Sequence, residues 1–201
     1  MTETQDSGPQ QARARETIDR LLKATLSVIK SEGWAGTSTP KICQAAEVSR
    51  GAQTHHFPTR SELMMAALER TASDHEAGIL EKVKDISEER RTLEAVLRAI
   101  WDACMDDHFM QPSIEAMVAA RTDESLHEHV APRDKKAIAS MRSMASQIAD
   151  TELSESQISN IIELSLYLFR GIAIERGMHQ DAKYRGELFD VWVDLILAKQ
   201  R

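Results

Sequence analysis

Residues Thr37 to Phe57 read TSTPKICQAAEVSRGAQTHHF, and this spacing predicts two short helices joined by a tight turn. Ser38 or Thr39 can cap the first helix. Pro40 fits its first turn, where the missing N–H of proline does no harm. The rest of this helix is mostly small and apolar, so it is predicted to pack within its own domain.

The second short helix is predicted from Arg50 to His56. Ser49 is placed to cap this helix, and Pro58 is expected to end it. Val48, in the turn, is an apolar residue predicted to pack between the two helices. The second helix carries almost no side chain with core-forming bulk, so most of its surface must face something other than its own domain. This is the layout of a DNA-reading helix-turn-helix, whose second helix enters the major groove.

The side chains predicted to contact DNA divide into base readers and phosphate binders. Arg50 suits guanine, and Gln53 suits adenine or a neighbouring base. Phosphates are the predicted partners of Thr39, Thr54, His55 and Arg60. The full predicted set is Ser38, Thr39, Lys41, Ser49, Arg50, Ala52, Gln53, Thr54, His55 and Arg60. His56 and Phe57 are predicted to pack at the end of the helix instead.

The segment from about Arg15 to Leu68 resembles the N-terminal domain of the TetR/AcrR family of transcriptional repressors. The matching pieces are an amphipathic first helix ending in EGW at 32–34, then TS at 37–38, VSRG at 48–51, HHFP at 55–58 and SEL at 61–63. The resemblance implies a homodimeric, DNA-binding regulator. It also implies that the rest of the chain dimerises and binds a small effector.

Three positions depart from the common pattern of that family. Glu47 stands where the turn usually has glycine, and a left-handed conformation there would cost on the order of 1 kcal/mol. Gln53 and Thr54 stand where leucine and tyrosine are frequent. The missing tyrosine removes one implied phosphate contact, although the hydroxyl of Thr54 could still reach a phosphate.

The charge of the chain is unevenly distributed. The net charge is −7, yet residues 1–60 hold eight Lys and Arg against six Asp and Glu. The basic N-terminal part attracts phosphates, and the acidic remainder of the chain is repelled by DNA. The absence of a long apolar run or a signal-like N-terminus favours a cytoplasmic protein with no membrane partner. Cys43 and Cys104 are predicted to be small core residues, not a disulfide or a metal site.

The periodicity predicts an all-α chain of about nine helices. Residues 1–11 are predicted to be a disordered tail, 12–60 the helix-turn-helix domain, and 61–201 a helical ligand-binding and dimerisation domain. A capping box formed by Thr59 and Glu62 opens the fourth helix. The fourth to seventh helices are predicted at about 60–86, 88–107, 112–121 and 124–149, with a break in the seventh near Pro132.

The last two helices, about 158–174 and 188–198, are apolar nearly all round. A helix of that kind must be covered on two sides, and a second copy of the chain is the predicted cover. A fully buried pair inside a monomer is the alternative. The predicted interface residues are Ile158, Ile162, Ser165, Phe169, Phe189, Trp192, Val193 and Ile196. Two reading helices in such a dimer would fit a palindromic operator with half-sites roughly 34–36 Å apart.

A small effector of unknown identity is predicted to bind in the larger domain. Aromatic and thioether side chains suit an apolar cavity, and one arginine could meet an anionic group. The candidate lining residues are Trp101, Met105, Phe109, Met117, Arg121, Met141, Met144 and Tyr167. Ordinary core packing is the competing interpretation for each of them.

An enzyme and a metal site are both disfavoured by the sequence. His127 and His129 lie two residues apart and so point to different sides of a helix, unlike ligands spaced i and i+4. Nothing suggests a phosphate loop, a nucleophile elbow or a cofactor. A metal-sensing repressor remains an alternative. A second is a dimeric partner-binding module with weak DNA affinity, suggested by Glu47 and Thr54.

Overall fold

The computed structural model describes residues 8–84, 92–148, 152–175 and 181–198. These ranges contain nine α-helices and no strand, which confirms the all-α prediction. The helices are α1 Pro9–Gly36, α2 Thr39–Ala46, α3 Arg50–His56, α4 Arg60–Lys84, α5 Leu93–Cys104, α6 Asp107–Ala119, α7 Glu124–Ile148, α8 Glu155–Glu175 and α9 Ala182–Ala198. No helix in the described ranges is long and apolar enough to cross a lipid bilayer.

The chain divides into two compact units, the first extending through Thr71 and the second beginning at Ala72. The core of the first unit joins α1, α2 and α4 through Leu21, Ile42 and Leu63, each of which is fully buried. Burial of each such side chain stabilises the unit by about 1.5–3 kcal/mol. This division differs from the predicted boundary after residue 60, because the first part of α4 belongs to the core of the first unit.

The first helix starts earlier than predicted and bends near its end. It begins at Pro9, inside the segment that was predicted to be a disordered tail, and residues 1–7 of that segment lie outside the described residues. Gly33 interrupts α1 with φ 72° and ψ 174°, a conformation open essentially to glycine alone. The hydroxyl of Thr37 donates to the carbonyl oxygen of Gly33 at 2.8 Å. This bond secures the bend that leads into α2.

The second unit has an aromatic centre formed by α5, α8 and α9. Trp101, Phe169 and Phe189 pack with ring centroids 5.1–5.9 Å apart. Cys104 lies in the same core, where burial raises the pKa of its thiol to about 12. The thiol therefore stays protonated and behaves as a small core residue. Cys43 is also buried, so both cysteines occupy the kind of position predicted for them.

Two prolines lie inside helices, against expectation. Pro132 is inside a continuous α7, so the predicted break there is wrong. Pro112 is inside α6, which begins at Asp107 because the carboxylate of Asp106 caps it by accepting from the N–H of His108 at 2.9 Å. An interior proline costs about 3 kcal/mol. The helices persist because tertiary packing supplies most helical stability in a folded domain.

The remaining helix ends differ modestly from prediction. Thr92 caps α5 by accepting from the N–H of Ala95 at 3.2 Å, and α5 ends at Cys104, before the predicted end at Asp107. The predicted ends of the fourth and seventh helices, at 86 and 149, and the predicted start of the fifth at 88 lie outside the described residues. The last two helices each begin before their predicted starts.

The part of α4 that belongs to the second unit contacts α6 and α7 through two polar side chains. His75 stacks on Phe109 with ring centroids 3.9 Å apart, and Glu76 accepts a hydrogen bond from the hydroxyl of Ser140 at 2.5 Å. Burial lowers the pKa of His75 below its ordinary value of 6.5, Asp106 raises it, and Lys82 lowers it further. The net shift makes the imidazole harder to protonate in the folded chain than in the unfolded chain.

We therefore expect the second unit to lose stability in acid because of His75. The pKa is lower in the folded chain than in the unfolded chain, so the unfolded state binds more protons once the pH falls below about 6.5. Denaturant unfolding at pH 7.5 and 5.5 should show a smaller acid loss for His75→Gln than for the wild-type chain. His127→Gln, at an exposed position on α7, is the control and should leave the loss unchanged. Equal acid losses in wild type and His75→Gln would refute this.

Candidate DNA-reading site

The turn before α3 has the geometry of a helix-turn-helix. Glu47 adopts φ 51° and ψ 44°, so the predicted turn between α2 and α3 is present and this residue is in the left-handed conformation. The N–H of Val48 donates to the carbonyl oxygen of Cys43 at 3.0 Å, which closes the end of α2. Ser49 then caps α3 by accepting from the N–H of Ala52 at 3.2 Å, as predicted. The turn thus fixes where the reading helix begins.

The outer face of α3 carries side chains suited to DNA. Arg50, Thr54 and His55 are exposed, and His56 is half-buried. The hydroxyl of Thr54 donates to the carbonyl oxygen of Arg50 at 2.9 Å, so its proton is used within the helix. Arg50 stands at the first position of α3, where a recognition helix contacts base edges. Its role as a base reader stays a prediction.

Gln53 does not belong to that outer face. Only 2% of this residue is exposed, and its amide nitrogen donates to the carbonyl oxygen of Phe57 at 2.5 Å. The side chain serves the C-terminal end of α3, where helix carbonyls lack partners within the helix. The prediction that Gln53 reads bases is therefore wrong for this conformation.

We expect Gln53→Ala to lower stability and to leave base preference unchanged. The substitution leaves the Phe57 carbonyl without its partner, which costs about 1–3 kcal/mol. Thermal unfolding measures the loss, and competition between operator variants measures the preference. Gln44→Ala, at an exposed position on α2, is the stability control. A changed base preference at full stability would restore Gln53 as a reader.

The other predicted DNA contacts lie in mixed surroundings. Lys41 forms an ion pair with Glu32 at 2.8 Å, and Arg60 donates to the carbonyl oxygen of Trp34 at 2.5 Å. Both side chains are exposed and contact the end of α1, and each cation keeps further N–H donors for a phosphate. Ser38 holds the N-cap backbone position of α2, but its hydroxyl makes no capping bond, and Thr39 opens the helix half-buried.

The capping box that opens α4 is confirmed. The N–H of Thr59 donates to Glu62 Oε2 at 3.2 Å, and the N–H of Glu62 donates to Thr59 Oγ1 at 3.1 Å. Reciprocal bonds of this kind satisfy two donors at the start of a helix.

Known proteins share both this sequence pattern and this fold. The chain matches the family described as "Bacterial regulatory proteins, tetR family" over residues 21–67. It is 30% identical over 181 residues to the HTH-type transcriptional regulator CymR of Pseudomonas putida, an alignment that covers 89% of this chain and 87% of that protein. This chain belongs to the TetR family. It is also 32% identical over 170 residues to an HTH-type transcriptional regulator of Mycobacterium bovis, covering 84% of this chain and 87% of the relative.

Solved TetR-family structures have the same fold. A regulator from Cytophaga hutchinsonii superposes with a TM-score of 0.71 at 16% identity, covering 92% of this chain and 96% of that one. A regulator from Rhodococcus sp. gives 0.69 at 18% identity, covering 90% and 98%. Members of the TetR family are transcriptional regulators with a DNA-binding helix-turn-helix, and at the family level they are not enzymes.

The predicted dimer residues of this TetR-family chain lie inside a single protomer. Seven of the eight are at most 7% exposed. Six of these belong to its hydrophobic core, among them Ile162, Phe169 and Phe189, and the seventh, Ser165, is a buried polar residue. The eighth, Trp192, is half-buried and donates from Nε1 to Ser165 Oγ at 2.9 Å. Ile158, Ile162, Ser165, Phe169, Phe189, Val193 and Ile196 are therefore wrong as contact residues, since they already pack against their own chain.

A different set of apolar residues on the same two helices faces outward. We call it the α8/α9 surface, and it consists of Leu164, Tyr167, Leu168, Tyr184, Val191 and Leu195, which are 38–59% exposed. A groove of about 430 Å³ lies along it, lined in part by Tyr167, Leu168, Tyr184 and Leu188. The sequence showed that both helices are apolar all round, but that pattern alone does not separate the inner side from the outer side.

The predicted effector residues occupy different environments. Trp101 and Met144 are buried core residues. Met105, Phe109 and Met141 pack at the edge of the main core, and Met117 is half-buried on α6. Arg121 is exposed beyond the end of α6, and Tyr167 is exposed on α8, where its hydroxyl donates to Glu163 at 2.7 Å. Tyr167 and Arg121 are thus surface residues, whereas the partly buried members remain candidates.

The histidines considered for a metal site are dispersed as well. His127 and His129 are both exposed on α7, and a ring nitrogen of His129 lies 2.7 Å from the carbonyl oxygen of Ser125. Among the described residues, no three His, Cys, Asp or Glu side chains are grouped to hold a metal ion.

Proposed function

We propose that this TetR-family protein is a homodimeric repressor that binds a palindromic operator and is released by a small-molecule effector. The proposal depends on how α3 is held and which of its side chains are exposed. Its first turn is capped by Ser49, its outer face exposes Arg50, Thr54 and His55, and a left-handed turn fixes its start. A polar helix held rigidly at its N-terminal end is the arrangement that reads base edges in the major groove.

The α8/α9 surface supports the dimeric part of the proposal. Exposed apolar side chains in one contiguous area mark an interaction site, and a two-fold dimer pairs such an area with itself. A dimer presents two copies of α3, which together can read half-sites one DNA turn apart. Doubling the contacts raises both affinity and specificity over those of a single chain.

An effector would act by binding one conformation of the dimer more tightly than another. The partly buried Met105, Phe109 and Met141, at the edge of the second core, are the residues of the predicted set best suited to line an apolar site. Compounds handled by the products of the genes beside the operator are the probes to test. Release of the operator by one of them would establish its class.

Selection of bound duplexes from a random DNA pool tests this proposal. We expect recovery of an inverted repeat that binds as a discrete complex, with affinity falling steeply as salt rises. Recovery of unrelated sequences, bound diffusely and only at low salt, would contradict the repressor and favour the partner-binding module. A single half-site as the consensus would contradict the dimeric reading.

A further inference from the structure

A basic side chain on α1 is bonded to the turn that precedes the reading helix. Arg20 Nη2 donates to the main-chain carbonyl oxygen of Glu47 at 2.9 Å, and the same nitrogen lies 3.5 Å from Glu47 Oε2. The two residues are 27 positions apart in the chain. One guanidinium thus contacts both the backbone and the side chain of the turn.

Glu47 is the residue of the turn that most needs support. It is the only non-glycine residue with positive φ among the described residues. An L-residue in the left-handed region is strained because its Cβ crowds the following carbonyl oxygen. Its carbonyl also lies at the C-terminal end of α2, where a cation is favourable because of the helix dipole. Arg20 supplies that cation and a hydrogen bond to the strained residue.

The conformation of this turn also determines where the reading helix α3 begins. Only Val48 and Ser49 separate Glu47 from Arg50, and Ser49 is the residue that caps α3. Val48 packs against the apolar core of the first unit, so its position ties the turn to the core as well. A change of backbone conformation at Glu47 would redirect the capping residue and with it the first turn of α3.

We propose that Arg20 is a positioning residue for DNA reading: by bonding Glu47 it holds the turn in the left-handed conformation that aims Arg50 at base edges. The inference rests on the proposed reading of DNA by α3. It explains how this chain keeps a glutamate where the family pattern has glycine, and it assigns to Arg20 no contact with DNA.

A double-mutant cycle on the selected operator tests the proposal with Arg20→Met, Glu47→Gly and both together. We expect Arg20→Met to weaken specific binding about tenfold and to leave binding to a scrambled duplex unchanged. In the Glu47→Gly background the same substitution should cost less than about twofold, because glycine adopts the left-handed conformation without help. Lys23→Met, which removes a cation from the same helix, is the matched control and should have little effect.

Two results would overturn the inference. An equal cost of Arg20→Met in both backgrounds would show that Arg20 acts independently of Glu47. A drop in the salt dependence of operator binding, by about 0.9 in the logarithmic slope for each chain, would show that Arg20 contacts a phosphate directly. Circular dichroism at the assay temperature ensures that every variant compared is folded.

Amide hydrogen exchange on the free protein separates this inference from the proposed function. Arg20→Met should speed amide exchange at Val48 and along α3. Adding Glu47→Gly to Arg20→Met should restore the slow rates. Unchanged exchange in Arg20→Met would overturn the role of Arg20 whatever the DNA result. Undiminished operator binding by Arg50→Ala would instead count against the proposed reading by α3, even with the predicted exchange pattern.

Discussion

Val191→Asp is expected to convert the protein from a dimer to a monomer and to lower its operator affinity by at least about 100-fold. Val191 is 57% exposed at the centre of the apolar residues of α9. A two-fold interface would bury the new carboxylate twice, and each unpaired charge costs several kcal/mol to bury. Loss of the dimer then removes half of the DNA contacts. Sedimentation velocity measures the assembly, and gel shift measures the affinity.

Val118→Asp is the matched control for this experiment. Val118 is 56% exposed on α6, so the same substitution there adds the same charge to a similarly exposed valine outside the α8/α9 surface. It should leave the dimer intact. A dimeric Val191→Asp chain would refute the assignment of this surface. Trp192→Asp is a poor substitute, because Trp192 bonds Ser165 inside the protomer and its loss would disturb the core.

Arg50→Ala is expected to lower operator affinity by about 100-fold or more while leaving the fold and the dimer unchanged. A bidentate arginine–guanine contact is worth about 1–3 kcal/mol, and a dimer loses two of them. Binding to scrambled DNA should fall much less, because most phosphate contacts remain. Operator and scrambled duplexes compared at one salt concentration measure the difference.

Lys136→Ala controls for the lost positive charge. Lys136 is exposed on α7 in the second unit, and its removal changes the net charge by the same amount. Its operator affinity should match that of the wild-type chain. If Lys136→Ala and Arg50→Ala weaken binding equally, then the effect of Arg50 is one of bulk charge, and α3 does not read bases through it.

The helix-turn-helix could be predicted because its signals are local. The cap at Ser49, the stop at Pro58 and the capping box of Thr59 and Glu62 each depend on residues within one helical turn. The inward rotation of Gln53 could not be predicted in this way. A helix of seven residues without an apolar stripe gives no period from which to infer its buried side, and the partner of Gln53 is a backbone carbonyl.

The packing of the second unit was harder to predict for a related reason. Helices α8 and α9 are apolar on all sides, so their sequence indicates two covered faces without saying which face meets the protomer core. Phe169 and Phe189 both pack against Trp101. Trp101 lies on α5, which is far from α8 and α9 in the sequence. The prolines in α6 and α7 led to wrong predictions of helix ends because their signal is local. Their energetic cost to the helix is outweighed by tertiary packing, which the local sequence does not show.

Hydroxyl-radical footprinting of the purified protein on DNA around its own gene, at two salt concentrations, tests whether a dimer reads an inverted repeat through α3. We expect two protected half-sites of an inverted repeat, with centres about 34–36 Å apart, that persist at the higher salt. Uniform, weak protection that vanishes at the higher salt would contradict it. That result would show phosphate attraction without sequence reading by α3.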